Sequence, residues 1–290
     1  MIRDPRILQI FSLGVLLASG AWFRDFSIRP EQIALTFAAG LAAQWLGDRL
    51  RHAPNPSLRS AVITSFSLSL LLRADNLWAH PLAAAMAIGG KFVLRHQGKH
   101  LFNPGNLGVI LALLLVPGTW VSPGQWGDDL ALAAWFVALG GVVVVRARRS
   151  DVSLVFLAAY LGALGLRVAW LGQAAAVWLH QLQSGALLLF AFFMISDPMT
   201  IPNHVRGRAA HAVLVAAIAY HWQFSLYRPN ALVWALFIAA PAVPLWDALW
   251  PAAKYEWNRE GDPRGKDARD PSHVVGELAG RGALVVRPAA

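Results

Sequence analysis

The chain has 290 residues, of which 57% are hydrophobic and only 14% are charged. Soluble domains carry about 25% charged residues, so this composition excludes an ordinary water-soluble globule and predicts an integral membrane protein in a lipid bilayer. The formal net charge of +9 is then better explained by orientation in the membrane than by nucleic-acid binding. The lack of cysteine excludes disulfides and thiolate-held zinc or iron–sulfur centres.

Ten apolar segments follow one another along the chain, and a helix needs about 20 apolar residues to cross a bilayer. The third is short, and HQLQSG interrupts the eighth; such segments persist at membrane depth only where protein or a cavity satisfies their backbone. The sequence therefore predicts an all-α membrane protein with about ten transmembrane helices. The segments are 7–23, 31–47, 60–72, 78–94, 106–121, 129–145, 152–170, 174–195, 209–226 and 231–250.

The first segment also has the composition of a signal peptide, but the apolar segments that follow it directly favour a first membrane helix. If all ten segments cross, twelve Arg and Lys residues lie on the side of the N-terminus and five on the other. The positive-inside rule then places both termini in the cytoplasm. We predict one membrane domain, 1–250, followed by a polar cytoplasmic tail, 251–290.

A polar stretch, GKHLFNPGN at 98–106, separates the fourth and fifth segments. Asn103 can cap a helix, because its side-chain oxygen accepts from a free backbone N–H. Pro104 suits the first helical position, where a missing N–H leaves no donor unsatisfied. The stretch therefore predicts a helix that begins at Asn103-Pro104.

A second stretch, FFMISDPMTIPNHVRGR at 192–208, has the same signature in Asp197-Pro198. The sequence predicts a new helix there too, with a second amino end that carries partial positive charge. Two such broken or re-entrant helices are how transporters build sites near the bilayer midplane. The alternative is that both stretches are ordinary interfacial loops, and sequence alone does not fix their depth.

Lys91, Arg95 and Lys99 recur every fourth residue and would share one helical face. They are either snorkelling anchors or contacts for a phosphate or a partner. We predict no metal site, and neither a catalytic nucleophile motif nor a phosphate loop is present.

The two stretches resemble one family. GKHLFNPGNLG at 98–108 resembles a G-x-N-x-F-N-P-A segment of the RnfD subunit of the Rnf complex and of its counterpart in the sodium-pumping NADH:quinone oxidoreductase. FAFFMISDPMTIP at 190–202 resembles the same family's F-F-x-x-T-D-P-V-[ST] segment. The resemblance extends over about 55–250, and stand-alone members such as the UnbU-like group are similar in size.

The resemblance implies a ten-helix subunit of the bacterial inner membrane with non-covalent riboflavin or FMN near the two breaks. It also implies electron transfer with other membrane redox subunits or a soluble electron donor. The candidate cofactor contacts are Asn103, Asn106, Asp197, Thr200 and Lys99.

The chain departs from the family at the covalent flavin. Family members esterify FMN to the Thr of an S-G-A-T motif after the fifth helix, whereas here that loop, 121–129, contains no Thr. Ser184-Gly185-Ala186 is followed by Leu187, which has no hydroxyl. We therefore expect no covalent FMN.

Three functions remain open on this sequence. The first is a flavin-binding electron-transport subunit. The second is a small-solute transporter or channel of similar architecture, and the third is a cofactor-free membrane scaffold for a redox partner.

Overall fold

Helices make up most of the structure, which is a computed structural model and describes residues 4–23, 27–52, 57–122 and 130–255. Nearly all of the predicted tail lies outside these ranges. The α-helices are α1 (Pro5–Phe23), α2 (Pro30–Leu50), α3 (Arg59–Leu71), α4 (Ala79–Val93), α5 (Pro104–Leu115), α6 (Leu130–Arg146), α7 (Ser150–Trp170), α8 (Ala175–Leu182), α9 (Gly185–Leu189), α10 (Val205–Phe224), α11 (Ala231–Ala239) and α12 (Val243–Leu249). A π-helix, Phe190–Met194, continues α9, and a 3₁₀ turn, Ala240–Ala242, joins α11 to α12.

Each of the ten predicted segments coincides with one helix or with consecutive helices. The eighth is broken as predicted, between α8 and α9. The fifth ends earlier than predicted, at Leu115, since Pro117 disfavours helical geometry in the residue before it and Gly118 has a φ of +71°.

Three helical runs of the described residues are long and apolar enough to cross a membrane unaided: Pro5–Trp22, Ser150–Trp170 and Ala231–Leu249. The pair Ala175–Leu182 and Gly185–Met194, bent by 46°, would form a fourth span. The chain is thus a mostly helical membrane protein with three clear candidate spans. The count of ten crossings stays a prediction.

Helix α2 buries its polar face. Gln32, Thr36 and Gln44 are buried at helical spacing, whereas Trp45 and Leu46 are more than half exposed. The Gln32 side chain donates to the Ala74 carbonyl at 2.8 Å. Polar groups that face other helices while apolar groups face outward are the arrangement expected in lipid.

The short helices α3 and α5 lie at the centre of the first half of the chain. Helix α3 contacts α1, α2, α4 and α5, and α5 also contacts α11. In the second half α10 packs against α7 and α11, and α6 packs against α9. The amino end of α5 is thereby placed between the two halves.

Four short strands depart from the all-α prediction. β1 (Leu72–Ala74) pairs antiparallel with β4 (Thr119–Val121), and β2 (Arg95–His96) with β3 (Lys99–His100). Gln97 and Gly98, both with positive φ, form the two-residue turn typical of a tight hairpin.

The hairpin corrects one prediction. Helix α4 ends at Val93, so Lys91, Arg95 and Lys99 do not share a helical face. The physical reason is the Gln97-Gly98 turn, which reverses the chain between Arg95 and Lys99.

Close packing of α5 on α3 and α4 yields a test. A Cβ at Gly108 would lie 2.8 Å from the Ala87 Cβ, 2.9 Å from the Ala83 carbonyl oxygen and 3.0 Å from the Leu68 Cδ2. We expect Gly108→Ala to destabilise the protein by about 1–3 kcal/mol, measured as a lower apparent Tm in detergent.

The matched control is Gly89→Ala in α4, where a Cβ has no neighbour within 4 Å among the described atoms. This change should leave the Tm unchanged or raise it, because Ala favours a helix over Gly by about 1 kcal/mol. Equal Tm values for the two variants would contradict the packing described here.

Candidate functional site

The first break is the turn from the β2–β3 hairpin into α5. Asn103 is extended (φ −60°, ψ 123°), and its Oδ1 accepts from the backbone N–H of Asn106 at 3.0 Å. Pro104 occupies the first turn of α5. The predicted cap is confirmed, and the amino end of α5 presents partial positive charge at this point.

The second break has a different geometry from the one predicted. Asp197 Oδ1 accepts from the Met199 N–H at 3.1 Å, and the Thr200 N–H donates to the Asp197 carbonyl at 3.1 Å. These bonds close a turn, and the next helix begins only at Val205, capped by His204. The prediction of a helix starting at Asp197-Pro198 was therefore wrong.

The physical reason lies a few residues downstream. Pro202 lacks an N–H, and it disfavours helical geometry at Ile201. A helix begun at Pro198 would stop within one turn. Only one helix amino end, that of α5, is consequently available at the site.

The two breaks meet. Asn103 Nδ2 donates to Asp197 Oδ2 at 3.2 Å and lies 3.5 Å from the Met194 carbonyl oxygen. Phe102 stacks on Phe237 of α11, with ring centroids 4.9 Å apart. Residues 94 positions apart in sequence thus form a single junction between the two halves of the chain.

Two further predicted contacts are buried beside this junction. Asn106, in the first turn of α5, is 1% exposed, and its Oδ1 has no hydrogen-bond partner among the described residues. Thr200 is 4% exposed, and its hydroxyl donates to the Asp197 carbonyl at 3.3 Å. An unsatisfied buried acceptor is costly, which makes Asn106 Oδ1 the group in the site best placed to receive a donor from a ligand.

Lys99 lies elsewhere than the other four candidates. Its ammonium, on a residue 8% exposed, donates to the Ile201 carbonyl at 2.6 Å and to Asp247 Oδ2 at 2.7 Å. Burial lowers the pKa of Lys99, and the Asp247 carboxylate opposes this shift. Lys99 therefore ties the hairpin to the second break and to α12.

The Asp197 carboxyl has the opposite shift. Burial raises its pKa, while hydrogen bonds from the Met199 N–H and the Asn103 side chain lower it. The direction is upward because desolvation disfavours the charged form. Each hydrogen bond that Asp197 accepts therefore helps to retain its negative charge.

The π-helix that leads into the second break was not predicted. The Ile195 N–H donates to the Phe190 carbonyl at 3.0 Å, and Ser153 Oγ of α7 donates to the Ala191 carbonyl at 2.6 Å. Such single-turn π-helices occur frequently at functional sites. The apolar run FAFFM contains no local signal for one.

A cavity of about 300 Å³ lies between α7, α9, α10 and α11. Phe190 and Met194 line it, as do Tyr160 and Gln223, whose side chains are joined by a 2.7 Å hydrogen bond. The Met194 carbonyl also faces Asn103 Nδ2, so the cavity reaches the π-helix that borders the junction.

No group of three His, Asp or Glu side chains in the described ranges is placed to hold a metal ion. Most of the loop that lacks the esterified Thr, residues 123–129, lies outside the description. Ser184 of the partial S-G-A motif is the cap of α9, and its Oγ accepts from the Leu187 N–H at 3.4 Å.

Comparison with known proteins identifies relatives of this fold and site. The model of the NQR2, RnfD, RnfE family matches residues 122–256. The D-type subunit of the ion-translocating oxidoreductase complex of Aeromonas salmonicida (strain A449) is 30% identical over 299 residues, which cover 75% of this chain and 84% of the relative. The subunit of the same name from Vibrio atlanticus (strain LGP32) is 24% identical over 263 residues, which cover 78% and 74%. The predicted resemblance is confirmed, and the chain belongs to the NQR2, RnfD, RnfE family.

Proposed function

We propose that this chain is a membrane electron-transport subunit that binds riboflavin or FMN non-covalently at the junction of its two breaks. The observation that carries the proposal is the buried Asn106 Oδ1, which lacks a partner among the described residues. It lies in the first turn of α5, whose cap, Asn103, holds Asp197. Membership of the family supports the same function.

The junction offers hydrogen-bonding groups that suit a flavin. Asn106 Oδ1 can accept from the ring N3–H, and the Asp197 carboxylate has lone pairs left to accept from a ribityl hydroxyl. The Thr200 oxygen can accept one further bond. The amino end of α5 favours negative charge near the ring. A bound flavin supplies one- and two-electron redox chemistry.

Asn103 has a positioning role in this proposal. Its amide is already shared between the N–H of Asn106 and the carboxylate of Asp197. It fixes the distance between the two ligand groups and keeps Asn106 in the first turn of α5. Lys99 supports the same loops from outside the junction.

The proposal includes the topology inferred from charge. Ten segments cross the bacterial inner membrane, with both termini in the cytoplasm, and the α3–β1 and α8–α9 segments provide the interrupted crossings. The curated relatives are named as subunits of an ion-translocating oxidoreductase complex. Other membrane redox subunits, or a soluble electron donor, are therefore the proposed partners.

The cavity favours a second candidate function. Its volume of about 300 Å³ and its polar lining, which includes Gln181 and Gln223, suit a small solute, and a transporter or channel would use it. Uptake into liposomes that contain the purified, flavin-free protein would support this alternative. A protein that carries neither flavin nor solute but co-purifies with a redox partner would be a scaffold.

The primary test is the flavin content of the purified chain. We expect protein prepared in mild detergent to release riboflavin or FMN in near-stoichiometric amount upon acid denaturation. Because no covalent FMN is expected, the denatured chain should lose all of its flavin absorbance. Colourless protein that also fails to bind added riboflavin or FMN would contradict the proposal.

Asn106→Ala separates ligand binding from folding. This variant removes an unsatisfied buried acceptor, so the flavin-free protein should be at least as stable as wild type. Flavin affinity should fall by about 5- to 150-fold, the equivalent of about 1–3 kcal/mol for one buried hydrogen bond. Fluorescence titration gives the affinity, and thermal unfolding without flavin gives the stability. Unchanged affinity would remove Asn106 from the site.

Asn103→Ala and Asp197→Ala should each reduce flavin retention, since both break the junction. The matched control is Asn76→Ala. Asn76 Oδ1 accepts from the Ala79 N–H at the start of α4 at 2.9 Å, so this change also removes a helix-start hydrogen bond. We expect all three variants to lose stability, by about 1 kcal/mol where only a cap is lost, but only the first two to lose flavin. Equal flavin loss in Asn76→Ala would mean that general destabilisation is the cause.

A further inference from the structure

The ammonium of Lys99 is surrounded by oxygens of three kinds. They are the carbonyl oxygen of Ile201 at 2.6 Å, Oδ2 of Asp247 at 2.7 Å and the amide Oδ1 of Asn203 at 3.3 Å. Lys99 is 8% exposed. We call these three oxygens the oxygen cage.

The cage is held together by bonds that do not involve Lys99. The Asn203 N–H donates to Asp247 Oδ1 at 2.7 Å. Arg208 donates to the Asn203 carbonyl at 2.5 Å through Nη1 and to Asp151 Oδ2 at 2.6 Å through Nε. The cage should therefore keep its shape when the lysine side chain is removed.

The oxygens form the donor set of a cation site. Carboxylate, carbonyl and amide oxygens are what hard cations prefer, and carbonyl oxygens can replace the hydration shell of a monovalent ion. The set carries one negative charge, and one ammonium balances it. Lys99 thus stands where a free monovalent cation would stand, with the difference that it is covalently attached to the hairpin.

We propose that the oxygen cage is a monovalent-cation site in which the ammonium of Lys99 serves as a tethered cation, so that shortening this side chain opens the site to K⁺, NH₄⁺ or Na⁺. The tether links β3, the second break and α12 through a single charge. Ammonium is close in size to K⁺, so NH₄⁺ and K⁺ should bind more tightly than Na⁺, and choline should not enter.

The direct test is the thermal stability of Lys99→Ala in chloride salts of equal ionic strength. In choline chloride the variant should unfold at a lower temperature than wild type, because Asp247 is left without its counter-charge. KCl or NH₄Cl at about ten times Kd should raise its apparent Tm by about 3–5 °C, whereas wild type should not distinguish the cations. A variant that is indifferent to cation identity would overturn the proposal.

Two controls locate the effect. Lys99→Met fills the space of the lysine without its charge, so this variant should be destabilised in every salt. The double variant Lys99→Ala/Asp247→Asn keeps the space but loses the anionic oxygen, and its cation response should disappear. If either control shows the same cation ranking as Lys99→Ala, the ions bind elsewhere and the proposal fails.

A measurement on the wild-type protein does not depend on any variant folding. An amine-acetylating reagent should modify the caged Lys99 at least tenfold more slowly than the exposed Lys254, whose Nζ contacts only the Gln97 carbonyl among the bonds described. Peptide mass spectrometry gives both rates. Equal rates would show that the Lys99 ammonium is not held in the cage, and none of these readouts depends on flavin.

Discussion

The hydrogen bonds of one asparagine hold the two interrupted segments together. A break in a membrane helix exposes backbone N–H and C=O groups that lipid cannot satisfy. Asn103 addresses this at both breaks, because its oxygen caps α5 and its nitrogen reaches Asp197 and the carbonyl end of the π-helix. Neither half of the chain completes the junction alone.

The polar groups around this junction form two layers with different roles. Asn106 and Thr200 are buried next to Asn103, within reach of a ligand at the amino end of α5. Lys99 and Asp247 lie on the far side of the same loops and join them to α12. Charge is thus balanced in the outer layer, whereas the inner layer retains an unused acceptor. A binding site held by a rigid outer layer is preorganised for its ligand.

Local chemistry decided which features the sequence could predict. The ten helical segments follow from apolar length, and the cap at Asn103 follows from the side-chain oxygen and the proline after it. The same rule failed at Asp197, because Pro202 stops the helix that Pro198 would begin. Taking both prolines together would have predicted the turn.

Features that depend on distant contacts could not be predicted. The π-helix at 190–194 is bonded to Ser153 on another helix, and the lysine cage combines residues from three separate segments. The helical spacing of Lys91, Arg95 and Lys99 was misleading because a two-residue hairpin turn lies within it. In each case the deciding partner is remote in sequence or the backbone reverses direction.

The strand that extends α3 alters how far this segment reaches. The 13 residues of α3 rise about 20 Å at 1.5 Å per residue, roughly 10 Å short of the hydrocarbon thickness. The three residues of β1 add about 10 Å at 3.3 Å per residue, and their pairing with β4 satisfies backbone groups that a lone extended chain would leave bare. A helix too short for the bilayer can therefore be lengthened by a strand with about half as many residues, which leaves room at its end for the chain to turn inside the protein.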